Sequence, residues 1–243
     1  MTWLVLCQDG DFDAAWLADG LGRGGVAPLA LVAASQLVHG ARWEHRIGSA
    51  GASSRVVLAD GTVLDSAELR GVVNRMHWLG AEGYRGASPQ DREYASAELY
   101  ALGLSWLASL GPRVLNRPSP VGLAGAYRPT GQWRWLARSV GLPIVTGDGA
   151  ESLLPLDDPA DLTALVVDDE ILAADPLPDA VRDGLHRLRA AAALDVLEAQ
   201  FRRDAGGGLL LRSVSYQAML SRHGEPALAA LGRALGRRDG STG

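Results

Sequence analysis

A chain of 243 residues can bury a substantial core and divide into one large domain or two small ones. Hydrophobic residues make up 47% and charged residues 21%, a globular mixture, and a net charge of −5 argues against a nucleic-acid partner, which calls for a concentrated basic face. The one cysteine, Cys7, excludes an intrachain disulfide, and no apolar run matches a membrane span or a signal-peptide core. The chain is therefore read as cytoplasmic, with no membrane partner. All 23 basic residues are arginine; there is no lysine.

The apolar run Trp3–Cys7 reads as a strand, followed by the polar loop Gln8-Asp9-Gly10-Asp11. Ala14, Leu17, Ala18 and Leu21 then recur at helical spacing until Gly24-Gly25, and Leu29–Val32 reads as a second buried strand. Three carboxylates in the Gln8–Asp13 loop discourage a phosphate, so a solvated loop is expected. Arg55–Leu64 carries a hairpin signal, two β-rich runs joined at Asp60-Gly61, and Gly71–Arg75 adds a short strand. Ser88 and Pro89 mark a helix start, with Ala95, Leu99, Leu102 and Trp106 on its apolar stripe and Gly111-Pro112 ending it. The chain is divided there, giving a domain of residues 1–112 and a second of 113–238, with 239–243 a frayed tail and fraying expected from Gly236 onward.

The second half opens on Val114-Leu115. Thr130 caps a helix that buries Trp133, Leu136, Ala137 and Val140, turns Arg134 and Arg138 to water and leaves Trp135 partly exposed. Residues 147–162 read as an acidic loop and Ala164–Ala173 as a hairpin turning at Asp168-Asp169. Pro178 starts a helix with Val181, Leu185, Leu188 and Ala192 inward. A third hairpin joins Leu197–Phe201 to Leu209–Val214 through Ala205–Gly208, and a final helix uses Leu228, Leu231 and Leu235. The five histidines show no metal-ligand spacing.

Two stretches resemble the opening and close of the ATP-grasp ligases, in particular the branch that modifies ribosomally made peptides. Asn116, Pro118 and Gly141-Leu142-Pro143 match the opening. The lysine that the resemblance implies before the helix falls at Tyr127 or Arg128, and a planar guanidinium is not equivalent to an ammonium. Leu194-Asp195-Val196 and Phe201 match the close. The implied metal-binding Asp is Gln200, and the implied Glu and Asn fall at Arg212 and Val214. Magnesium needs hard oxygen donors, which arginine and valine do not supply. Glu198 and Asp204 lie near, but strand alternation and turn position make them poor replacements; an active ligase would have to use Glu198, Asp195 or Asp204 for the metal. About thirty residues separate the two stretches, where the resemblance implies a lid with a second lysine.

The expected fold is α/β: a pre-ATP-grasp-like parallel-sheet domain followed by a reduced ATP-grasp-like α+β portion. The expected function is a pseudoenzyme with no catalytic residue, metal or cofactor, which holds a peptide or partner enzyme through Asn74, Arg75, Arg128, Trp133, Arg134, Trp135 and Arg138. If it belongs to a peptide-modification pathway, the resemblance implies a ribosomal peptide as ligand. Asn74, Arg75 and Arg128 are placed at strand ends and turns, where such folds open a cleft. Two alternatives stay open: an active ligase that rebuilds its site with Arg128 and Arg212, and a structural subunit of a larger enzyme. A homo- or hetero-oligomer through the exposed tryptophan is compatible with each.

Overall fold

The computed structural model describes residues 1–49, 51–81, 84–145 and 161–239. Its first unit comprises residues 1–126 and the segment from Gly232 onward; its second comprises residues 127–231. The first begins with β1 (Thr2–Cys7), α1 (Phe12–Arg23), β2 (Leu29–Ala33) and α2 (Ala34–Val38). A meander follows, β3 (Arg42–Gly48), β4 (Gly51–Val57) and β5 (Val63–Asp65), then β6 (Leu69–Asn74), α3 (Pro89–Ser109) and β7 (Val114–Leu115). The largely buried β1 and β6 occupy the centre of a parallel sheet ordered β2-β1-β6-β7, where strands covered on both faces belong. β2 is an edge strand, so Leu31 is exposed where a buried strand was expected.

Because β7 pairs with β6, Val114-Leu115 belongs to the first sheet, and the first unit runs past the expected division at residue 112. The hairpin at Asp60-Gly61 forms as read, with Gly61 at φ +87°. β3 and the short α2 form without a clear periodic signal in the sequence. In β3 the apolar alternation is carried by Trp43 and His45 among arginines and a glutamate, and His45 spans Ser54 of β4 and Ser105 of α3 at 2.6 and 2.8 Å. Ser88 caps α3 by accepting from the Asp91 N–H at 3.1 Å. The buried stripe of α3 is Gly103, Trp106 and Leu107, with Ala95, Leu99 and Leu102 half-buried.

The second unit holds α4 (Thr130–Ser139), β8 (Leu162–Val167), β9 (Glu170–Ala173), α5 (Asp179–Ala192), β10 (Val196–Arg203) and β11 (Leu209–Ser215). Its sheet is antiparallel, ordered β11-β10-β8-β9, with α4 and α5 packed over the core that contains Leu197, Ala199 and Phe201. Thr130 is the first helical residue of α4 rather than its cap; Pro129 precedes it and no side chain caps the end. Gly141 (φ +80°) ends this stretch, and Leu142 then packs on α5 at Gly184, where an added Cβ would lie 2.5 Å from Leu142 Cδ2. The loop expected at 147–162 lies, through residue 160, outside the described residues.

The last helix, α6 (Gly224–Arg238), buries Leu228, Leu231 and Leu235. It does not fray at Gly236. Helix continues to Arg238, and Asp239 accepts from Arg70 Nε at 3.0 Å, with that guanidinium stacked 4.7 Å above Trp3. The remainder of the expected tail, 240–243, lies outside the described residues. No helix among the described residues is long and apolar enough to cross a membrane.

Candidate functional site

The carboxyl ends of β1 and β6 bring the Gln8–Asp13 loop beside Asn74 and Arg75. Neither Asn74 nor Arg75 opens onto a cleft as expected. Asn74 is 3% exposed; its Nδ2 donates to the Leu123 carbonyl at 2.7 Å and its Oδ1 accepts from the Met76 N–H at 3.2 Å. Both hydrogen bonds close the chain on itself. Arg75 straddles Asp11 in a bidentate pair at 2.8 and 3.1 Å and lies 3.8 Å from Asp13.

Asp11 also caps α1 through the Ala14 N–H, Asp9 binds Ser35, and Gln8 Oε1 accepts from the N–H groups of His77 and Trp78. The loop expected to be merely solvated is thus a structural junction. The adjoining Cys7 thiol is pushed up to about 11 by burial, with Asp11 adding to it, which keeps the sulfur protonated and unreactive.

Of the residues predicted in the second unit, Trp133 is buried under α4. Arg128 lies 5.2 Å from the Trp133 ring and donates to the Ala192 carbonyl at 3.1 Å, so its charge meets the C-terminal end of α5. Burial holds the Arg128 pKa below the ordinary arginine value. Arg134, expected to face water, is half-buried and donates to the Val145 carbonyl at 2.7 Å. Trp135 and Arg138 are exposed one helical turn apart, the indole at 69%. They form the outward face of α4 that the sequence anticipated.

The positions at which the resemblance implies metal ligands, Gln200, Arg212 and Val214, lie on the strand pair β10–β11. The ladder pairs Glu198 with Ser215, Ala199 with Val214 and Gln200 with Ser213, then shifts by one residue so that Phe201 meets Leu211. Arg212 is the extra residue of that bulge. Directly paired residues share a face, so Glu198, Gln200, Ser213 and Ser215 lie together. Val214 is on the opposite face, packed against the core with Ala199 and Phe201. On this face Gln200 is paired with Ser213, and Glu198 with Ser215.

Glu198, discounted in the sequence reading, organises this face. Its carboxylate is 3% exposed and accepts from Arg222 Nη1 and the Met219 N–H, each at 3.0 Å. Gln200 Nε2 lies 3.5 Å away, at the outer limit of a hydrogen bond, and Gln200 Oε1 accepts from Ser213 at 3.0 Å. His223 Nε2 is 3.6 Å from Glu198, just beyond hydrogen-bonding distance, and is buried. Burial alone would raise the Glu198 pKa. His223, Arg222, Met219 and Gln200 outweigh it and hold the carboxyl below its ordinary value.

The fit to a magnesium ion is poor: this face offers one carboxylate, already spent on a guanidinium and a backbone amide, plus an amide oxygen and two hydroxyls. Asp204 is turned to the Gly206 and Gly208 N–H groups at 2.8 and 2.7 Å, in its own hairpin turn. Among the described residues no three His, Cys, Asp or Glu side chains gather as a metal site.

Comparison with solved structures agrees with this architecture. The macrocyclase MdnC of Microcystis aeruginosa MRC, bound with precursor peptide MdnA, is similar at a TM-score of 0.76 and 14% identity, over 98% of this chain and 100% of that one. The ATP-grasp ligase PsnB, complexed with minimal precursor, Mg and ADP, is similar at 0.69 and 18% identity, over 98% of each chain. A ligase from Chryseobacterium gregarium described as RiPP-associated and ATP-grasp, in complex with ADP and a leader and core peptide, reaches 0.68 at 10% identity, over 96% and 95%. The chain has the ATP-grasp ligase fold. No protein-family model and no curated protein matches its sequence.

Proposed function

We propose that this chain is a non-catalytic protein of ATP-grasp fold that holds a peptide or partner enzyme, in a pathway that modifies ribosomally made peptides. The observation that carries the reading is the β10–β11 face, whose one carboxylate is neutralised from within by Arg222. Two further facts support it. No lysine is available anywhere to clamp a polyphosphate, and Arg128, the substitute considered from sequence, donates to the end of α5.

The peptide surface is the outward side of α4, with Trp135 as the aromatic anchor and Arg138 as the adjoining charge. An exposed tryptophan of this kind has large contact area and few rotamers to freeze. A second reading, an active ligase, is favoured by the likeness to PsnB, a structure that carries Mg and ADP. Selection of a random-peptide display library on the immobilised protein separates surface from scaffold. Enrichment of a sequence family is expected, with Kd weakened at least about tenfold by Trp135→Ala, on the order of the 1.4 kcal/mol of a modest hot spot. No enrichment over an unrelated protein would remove the peptide-holding reading.

A further inference from the structure

We infer that β3 is a dimer edge: two copies of this chain pair their β3 strands antiparallel, about a two-fold axis at His45. Two three-stranded meanders then become one six-stranded sheet. Among the described residues β3 is bonded on one side only, to β4. Its backbone phase follows from the far side of β4. There the Ser66 N–H donates to the Ser54 carbonyl at 2.9 Å, and the Leu58 N–H to the Thr62 carbonyl at 2.8 Å. Backbone groups alternate sides along a strand, so Ser53, Arg55 and Val57 turn theirs to Arg46, Glu44 and Arg42 of β3. Trp43, His45 and Ile47 therefore direct their N–H and C=O groups to the open side, where no other segment among the described residues bonds to them. An open edge of seven residues is a template for another strand.

The side chains select a second copy as that strand. With the axis at His45, Glu44 stands opposite Arg46 of the second copy, twice over by symmetry, and Trp43 opposite its Ile47. An axis at Glu44 sets that carboxylate against itself and Arg42 against Arg46; an axis at Arg46 sets two guanidinium groups together. An axis at Trp43 opposes Arg42 to Glu44 but leaves Ile47 beyond the start of the second strand. Opposite charges across a ladder stabilise it and like charges destabilise it, so the His45 register is favoured. Within its own strand Glu44 already bonds Arg42 and lies 3.3 Å from Arg46, so dimerisation extends an existing row of charge. On the other face Trp43 and His45 rest on α3, through the Trp106 ring and the Ser105 hydroxyl. Ile47 continues that face, is 73% exposed, and gains the second Trp43 as cover. Beside Ser105 the exposed residues of α3 are Ala97, Ala101 and Ala108, which bring no bulk to the seam. The inference concerns β3 alone and stands whether or not the chain holds a peptide.

Sedimentation equilibrium of the full chain at low ionic strength, across micromolar concentrations, tests it. The wild type should reach twice the chain mass of 25.6 kDa and dissociate as salt is raised. Glu44→Arg and Arg46→Glu, both on the outward face, should each weaken the dimer about tenfold or more. An equimolar mixture of these two variants should regain the dimer, because each chain then meets two residues of opposite charge. The double variant carrying both substitutions should dimerise by itself, which keeps the register testable should a single variant fail to fold. A wild type that stays monomeric, a dimer indifferent to salt and to both single variants, or a mixture that stays monomeric would each overturn the inference. Loss of the dimer in Trp135→Ala would place the contact on α4 and overturn it as well.

Discussion

Replacing Arg75 with alanine is expected to lower the unfolding free energy by about 3 kcal/mol, the scale set by removing one partner of a poorly exposed ion pair. Arg75 and Asp11 are 13% and 16% exposed, and Asp13 lies within 3.8 Å of the same guanidinium. Alanine leaves two carboxylates facing each other at the α1 N-terminus without their counter-charge. Arg75→Lys should recover only part of the loss, because an ammonium cannot bridge both oxygens of Asp11 in a planar fork. Urea unfolding of the three proteins measures it. A loss below about 0.5 kcal/mol for alanine would place Arg75 among surface pairs that contribute little.

The second large effect is expected at Glu198. Glu198→Ala strands the Met219 N–H and leaves Arg222 without its carboxylate, at a cost of about 3 kcal/mol. The pH dependence has a definite sign. The folded-state pKa lies below the ordinary 4.5, so the folded protein binds fewer protons here than the unfolded chain. The resulting stability is fully present above pH 4.5 and is lost as pH falls through the lower folded value. Denaturant midpoints taken from pH 6 downward should therefore fall more steeply for the wild type than for Glu198→Gln. Parallel pH profiles would mean that the carboxylate is not held ionised by its neighbours.

These two residues also show where sequence reading stops. Local signals carried most elements: Asp60-Gly61 for a hairpin, Ser88 and Pro89 for the start of α3, and the apolar stripe Val181, Leu185, Leu188 and Ala192 for α5. Each is short-range chemistry that tertiary packing did not override. The site was less legible because its partners are distant along the chain. Arg75 meets Asp11 across 64 positions and Glu198 meets Arg222 across 24. Neither spacing has a periodic signature, so an arginine read as free for a ligand turned out to be structural.

The bulge after Gln200 had a second consequence. A one-residue slip reverses which face a strand residue takes, and no residue type in β11 announces it; Val214 lies on the core side, while Ser213 pairs with Gln200 and Ser215 with Glu198. Trp135 was legible for the opposite reason: α4 is amphipathic, and an indole at that spacing on its polar side must meet water.

Isothermal titration of the purified protein with ATP and Mg²⁺ tests the central claim most directly. With no lysine and a self-neutralised β10–β11 face, no saturable heat is predicted. A micromolar dissociation constant that depends on Mg²⁺ would contradict the account and favour the active ligase.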